Sequence, residues 1–116
     1  MTSRNALNLV AVVGVLLGMP LIATATPPKG NPVAGQKIFV GTCEICHGPT
    51  GRGDSSMAGY IKTLPDLSST KTQQKTDAEL RRTLQKGHGP DMVGYEWVFN
   101  DAQLDDVIAY IRSLKR

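Results

Sequence analysis

The sequence predicts a small all-α domain of three or more helices joined by long loops, and three observations predict it. Each helix opens on a legible cap, no stretch alternates apolar and polar residues as a half-buried strand does, and the connecting segments are rich in Gly, Pro, Ser and Asp. The length of 116 residues leaves room for one domain, and two cysteines for at most one bridge, which excludes a multidomain enzyme and a disulfide-dense scaffold. A charged content of 20% argues against a disordered tail.

The N-terminus distorts the composition. Met1 to Ala25 carries one early charge, Arg4, then an uncharged apolar run from Leu7 to Ile22, then the small residues Ala23-Thr24-Ala25. This is the pattern of a secretory signal peptide. Pro20 breaks the run ahead of the cleavage site, as an extended protease substrate requires. The competing reading is an uncleaved anchor, since Leu7 to Thr26 is about long enough to span a ~30 Å hydrocarbon core. Residues 26–30 then form a stiff linker ahead of a domain over 31–116. Both readings place the domain outside the cytoplasmic membrane, in the periplasm, free or tethered. Without the first 25 residues the apolar-plus-glycine share falls from about 48% to about 42%, a lean core. The charge falls from +3 to +2, too little to argue for nucleic-acid binding through phosphate neutralisation.

The first predicted helix takes Asn31 as N-cap and Pro32 at its first position, puts Gly35, Ile38 and Phe39 on one face, and ends near Gly41. The second opens on a capping box, Thr76-Asp77-Ala78-Glu79, turns Leu80 and Leu84 inward and stops at Gly87. The third runs from Asn100, with Gln103 at the box position, through Leu104, Val107, Ile108, Ile111 and Leu114. Asp101, Asp105 and Asp106 favour its positive end, and Lys115 and Arg116 its negative end. The loops over Gly48–Ser69 and Gly87–Phe99 are too long for a compact domain unless they wrap on something.

Cys43-Glu44-Ile45-Cys46-His47 is the C-x-x-C-H pattern of c-type haem attachment. On one helical turn two thiols three residues apart reach two vinyl groups of a porphyrin, and the adjacent His presents its imidazole to the iron. Three other uses of the residues compete. A thioredoxin-like redox pair wants a βαβ setting, a structural zinc wants a second paired ligand set, and a plain disulfide leaves the adjacent His47 unexplained.

With these residues in place, everything from Asn31 to Arg116 resembles a class I c-type cytochrome, a family of monohaem proteins. Gly35 and Phe39 match the family's first-helix positions that cross the last helix, and Tyr110 matches the aromatic on the other side of that crossing. The resemblance implies a small cytochrome c fold around one covalently bound haem c with its iron. Cys43 and Cys46 are the implied thioether anchors and His47 the proximal ligand. Met92, in the loop where the family puts its axial methionine, is the implied distal ligand, with His88, Met57 or an open site as alternatives. Softness of the thioether supports Met92. One departure stands out: the family commonly has Pro directly after this Met, and here it is Val93, which loosens or reshapes the loop. Leu64-Pro65-Asp66-Leu67 resembles the segment whose proline carbonyl accepts the Nδ1 proton of the proximal His; a plain Pro-Asp turn is the simpler reading. Arg52 faces either a haem propionate or solvent. Trp97 is read as a core residue whose indole N–H seeks a propionate or carbonyl partner.

The functional expectation is an electron carrier, not an enzyme: an exported monomer that passes single electrons between redox proteins by transient docking, without nucleic acid and without membrane contact unless the N-terminal segment is retained. Lys37, Lys62, Lys71, Lys75 and Lys86 are available for steering, or form an ordinary solvated set. A haem subunit held permanently in an oxidoreductase, and a sensing cytochrome with a labile sixth site, remain as alternatives. The permanent subunit predicts an exposed apolar patch.

Overall fold

The structure is a computed structural model and describes residues 29–116. The export segment and most of the linker lie outside the described residues. Among the described residues there is no strand, only an isolated bridge between His88 and Met92.

Helix α1, Pro32–Ile38, starts as its sequence dictates. The Asn31 side chain accepts from the N–H groups of Val33 at 2.9 Å and Ala34 at 3.4 Å, while Pro32 supplies a fixed φ where no donor is needed. The helix does not stop at Gly41. It runs on through a π segment, Phe39–Cys43, into α2, Glu44–His47. The wider i→i+5 turn inserts one extra residue, which keeps Ile38, Phe39 and Cys43 all against the core. Glycine as a stop signal is overridden because that packing outweighs a propensity cost of about 1 kcal/mol. Gly48, at φ 77°, ends the helical stretch instead.

Helix α4, Asp77–Lys86, and helix α5, Asp101–Ser113, both carry the expected capping boxes, Thr76 with Glu79 and Asn100 with Gln103. A short α3, Thr70–Gln73, capped by Ser69, was not legible as a helix because it has no apolar face. A single 3₁₀ turn spans Ser56–Gly59.

Helix α5 is the centre of the domain. Leu104, Val107, Ile108 and Ile111 recur at helical spacing, and with Ala109 and Tyr110 they are buried on more than one side. Helix α1 crosses it where Gly35 leaves no room for a side chain: a Cβ there would lie 1.9 Å from the Asp106 carbonyl oxygen and 3.0 Å from the Tyr110 Cβ. The Phe39 ring then lies on the Tyr110 ring, with centroids 5.1 Å apart. Helix α4 adds Leu80 and Leu84 to the same core, and Arg81 joins it to α5 through Asp101 and Asp105. Arg112 binds the carbonyls of Gln73 and Lys75 and the Asp77 carboxylate, closing the α3–α4 corner onto α5.

Arg116 does not serve the negative end of α5 as expected. It reaches Asp66 at 2.6 Å and Ser68 at 2.9 Å, because an ion pair outweighs a terminal dipole that fades within a turn. Trp97 is not in the core either: it is 92% exposed. Phe99, two residues on, packs against the core and stacks at 5.3 Å on the half-buried Tyr95, and the residue between them faces out.

Candidate functional site

The end of the π segment and helix α2 bring Cys43, Cys46 and His47 to one place, and three hydrogen bonds hold the C-terminal end of α2. The Gly48 N–H donates to the Glu44 carbonyl at 2.7 Å and the Gly53 N–H to the His47 carbonyl at 2.8 Å. The Ser55 hydroxyl donates to the Cys46 carbonyl at 2.6 Å. A Cβ on Gly48 would lie 2.0 Å from an Asp54 carboxylate oxygen, so only glycine lets the loop close this tightly. The 49–55 loop is therefore a clamp on the backbone of the His47 turn.

Both cysteines are free thiols, half-buried, and Cys43 packs against the core. Burial first, and the neighbouring Cys46 charge second, push the Cys43 thiol up to about 11. A free thiolate, which a redox-active cysteine needs, is thus disfavoured at Cys43. No group of three or more metal-ligating Cys, His, Asp or Glu side chains occurs among the described residues.

Burial lowers the pKa of His47, and the facing Pro65 carbonyl offsets part of that shift. The imidazole is thus neutral near pH 7. Its Nδ1 is buried and has no partner of full hydrogen-bond geometry, so the Pro65 carbonyl stands near but not bonded. An Nδ1–H turned to that carbonyl leaves Nε2 as the free lone pair, the tautomer a metal ligand requires. Leu67, two residues on, joins the core, and Arg52 stands exposed near Asp66.

Met92 lies in a loop closed on itself. The His88 N–H donates to the Met92 carbonyl at 2.8 Å and the Met92 N–H returns to His88 at 3.3 Å. Two glycines pack this loop on the end of α4. A Cβ on Gly87 would meet the Met92 carbonyl oxygen at 2.2 Å, and one on Gly94 the Gln85 carbonyl oxygen at 2.3 Å. The Tyr95 and Glu96 N–H groups donate to Leu84 and Gln85. Val93 in place of proline therefore leaves the loop firmly held. The Met92 side chain packs against the hydrophobic core, more apolar company than its polar sequence neighbours imply. His88 is exposed, and Met57 is half-buried in the 3₁₀ turn that contacts α2. Sequence reasoning missed Tyr95, whose hydroxyl pKa is raised by burial first, with Cys43 and Cys46 contributing.

The sequence profile of the family described as Cytochrome c matches residues 32–115. The chain belongs to the cytochrome c family. Among solved structures it is similar to the KustC0563 c-type cytochrome, at 17% identity and a TM-score of 0.62, over 71% of this chain and 98% of that one. A tyrosine-to-phenylalanine mutant of that protein is similar to the same degree, at 17% identity and a TM-score of 0.61 over 71% of this chain and 99% of the other. These likenesses establish the helical cytochrome c fold. As a cytochrome c it is an electron-transfer haem protein with covalently attached haem c, and a neutral His47 whose Nδ1 faces the Pro65 carbonyl and whose Nε2 is left free, beside the thiols of Cys43 and Cys46, fits that group.

Proposed function

We propose that this protein is an exported monohaem electron carrier in which Cys43 and Cys46 form the thioether links, His47 is the proximal ligand and Met92 the distal one. The observation that carries the reading is the half-buried, neutral His47, with its backbone clamped by the 49–55 loop and its buried Nδ1 facing Pro65. When bound, the haem iron supplies a one-electron couple between its ferric and ferrous forms. The chain's own contribution is rigidity. The loop clamp fixes the backbone that carries the imidazole, the His88–Met92 bridge fixes the backbone that carries the thioether, and the α1–α5 crossing closes the core behind them, so little has to rearrange when the charge changes. A neutral thioether favours the ferrous state more than a second imidazole does, which makes the carrier a relatively high-potential one. No substrate bond is made or broken.

Residues 1–25 serve as the export signal and 26–30 as the linker in this reading, with the 31–116 domain acting as a monomer in the periplasm. A second reading, a subunit held in a larger oxidoreductase, would use exposed apolar residues such as Trp97, Val98 and Val93 as its contact. The test of the ligand set is the visible spectrum of Met92→Ala beside Met57→Ala and His88→Ala. Loss of the Met–iron charge-transfer band in Met92→Ala alone is expected; its survival there refutes the assignment.

A further inference from the structure

Trp97 is 92% exposed and Val98 64%, a large apolar surface that folding leaves in water. It is not displayed on a floppy loop. The Tyr95 N–H donates to Leu84 and the Glu96 N–H to Gln85, while the N–H groups of Val98 and Phe99 both return to the Tyr95 carbonyl at 3.0 Å. Stacking of Tyr95 on Phe99 fills the inside of this turn. Trp97 is thus presented on a turn already rigid before any contact, which removes much of the ordering cost of binding.

Glu96, the one charged residue within the turn, is paired with Lys86, and the neighbouring helices pair with each other through Arg81 with Asp101 and Asp105. The tip offers a partner no uncompensated charge from these groups, so steering by Lys86 is not available at this face. Its size decides between occupants. Trp97 with the adjacent Val98 presents on the order of a few hundred Å². A stable dimer or a permanent subunit contact needs roughly 800 Å² on each side, whereas transient redox encounters sit at the small end of the range.

We propose that the Trp97–Val98 tip is the anchor by which this protein meets a redox partner presenting an apolar, uncharged patch, in a transient contact. The inference rests on the carrier reading and adds the chemistry of the partner surface. The three-residue spacing from Tyr95 back to Met92 places this tip directly after the loop that carries the distal ligand.

The test is protein-film voltammetry of the purified holoprotein on gold covered with methyl-terminated or carboxylate-terminated alkanethiols, for wild type, Trp97→Ser and Trp97→Phe. On the methyl film Trp97→Ser should lower the electron-exchange rate by about tenfold, as loss of a central aromatic anchor does, and Trp97→Phe should keep most of it. The wild-type rate there should hold between about 10 mM and 1 M salt, where screening changes most. The solution midpoint potential and visible spectrum should be the same in all three proteins. An equal loss on both films, a steep fall with salt, or a shifted midpoint in Trp97→Ser overturns the proposal, the last by making Trp97 part of the haem pocket. A concentration-dependent dimer that Trp97→Ser abolishes overturns it in favour of a second copy of the chain. Absence of a wave on every film, wild type included, refutes the carrier reading itself and is distinguishable from all of these.

Discussion

Gly35→Ala is the substitution that most sharply tests how the fold is closed. The new methyl carbon would lie 1.9 Å from the Asp106 carbonyl oxygen and 2.5 Å from its carbonyl carbon, so α1 and α5 must part by more than an ångström. The obstacle is backbone of a buried helix and cannot rotate away. Overpacking costs roughly 1–3 kcal/mol where side chains can adjust, and this site belongs at or above the top of that range. Alanine returns at most about 1 kcal/mol of helix propensity. A net loss of about 2 kcal/mol or more follows, and in a domain of this size each 1 kcal/mol moves the melting temperature by roughly 4–8 °C. Thermal unfolding of the holoprotein by circular dichroism should therefore show a fall of about 8–16 °C. Gly41→Ala is the control, since nothing lies within 4 Å of a Cβ there; it should melt at or slightly above the wild-type temperature. A Gly35→Ala protein as stable as wild type would refute the close crossing of α1 on α5.

Removing the Thr76 hydroxyl by Thr76→Ala deletes the acceptor for the Glu79 N–H and should cost about 1 kcal/mol, read as an earlier denaturant midpoint with an unchanged slope. Asp66 and Glu79 both titrate below ordinary carboxylates, Asp66 chiefly through the Ser68 hydroxyl and Glu79 chiefly through the Thr76 backbone N–H. A carboxyl with a depressed folded pKa contributes stability above its unfolded value and loses it as pH falls through the folded one. Stability should thus be flat near neutrality and drop below about pH 4, and Ser68→Ala should make that drop shallower, as measured by denaturant midpoints across pH. An acid limb unchanged by Ser68→Ala would exclude Asp66 as its source.

Much of the scaffold is legible because it is local. Asn31-Pro32, the two capping boxes and Gly87 mark helix ends through backbone chemistry that depends only on neighbours, and the structure uses all of them. Gly35, Phe39 and Tyr110 are legible as a crossing because a missing side chain and two aromatics in the right order admit few packings. What local reading misses is set by distant partners. The π turn across Gly41 exists because Phe39 and Cys43 both belong to the core that α5 builds. Arg116 turns away from its own helix because Asp66 and Ser68 wait fifty residues back. Trp97 reads as core by type alone, and only the Tyr95–Phe99 stack reveals that its turn has its interior filled already. Within the site, the C-x-x-C-H spacing is legible, whereas the 49–55 clamp and the apolar seat of Met92 are tertiary facts.

In the proposed function one haem, held by Cys43, Cys46, His47 and Met92, gives this chain a single reversible electron. A redox titration of the purified exported protein, followed in its visible bands, tests it most directly. One wave obeying a one-electron Nernst relation, about 59 mV per decade, is expected, with the haem retained after acid extraction. Extractable haem, no haem band, or a two-electron slope would contradict it.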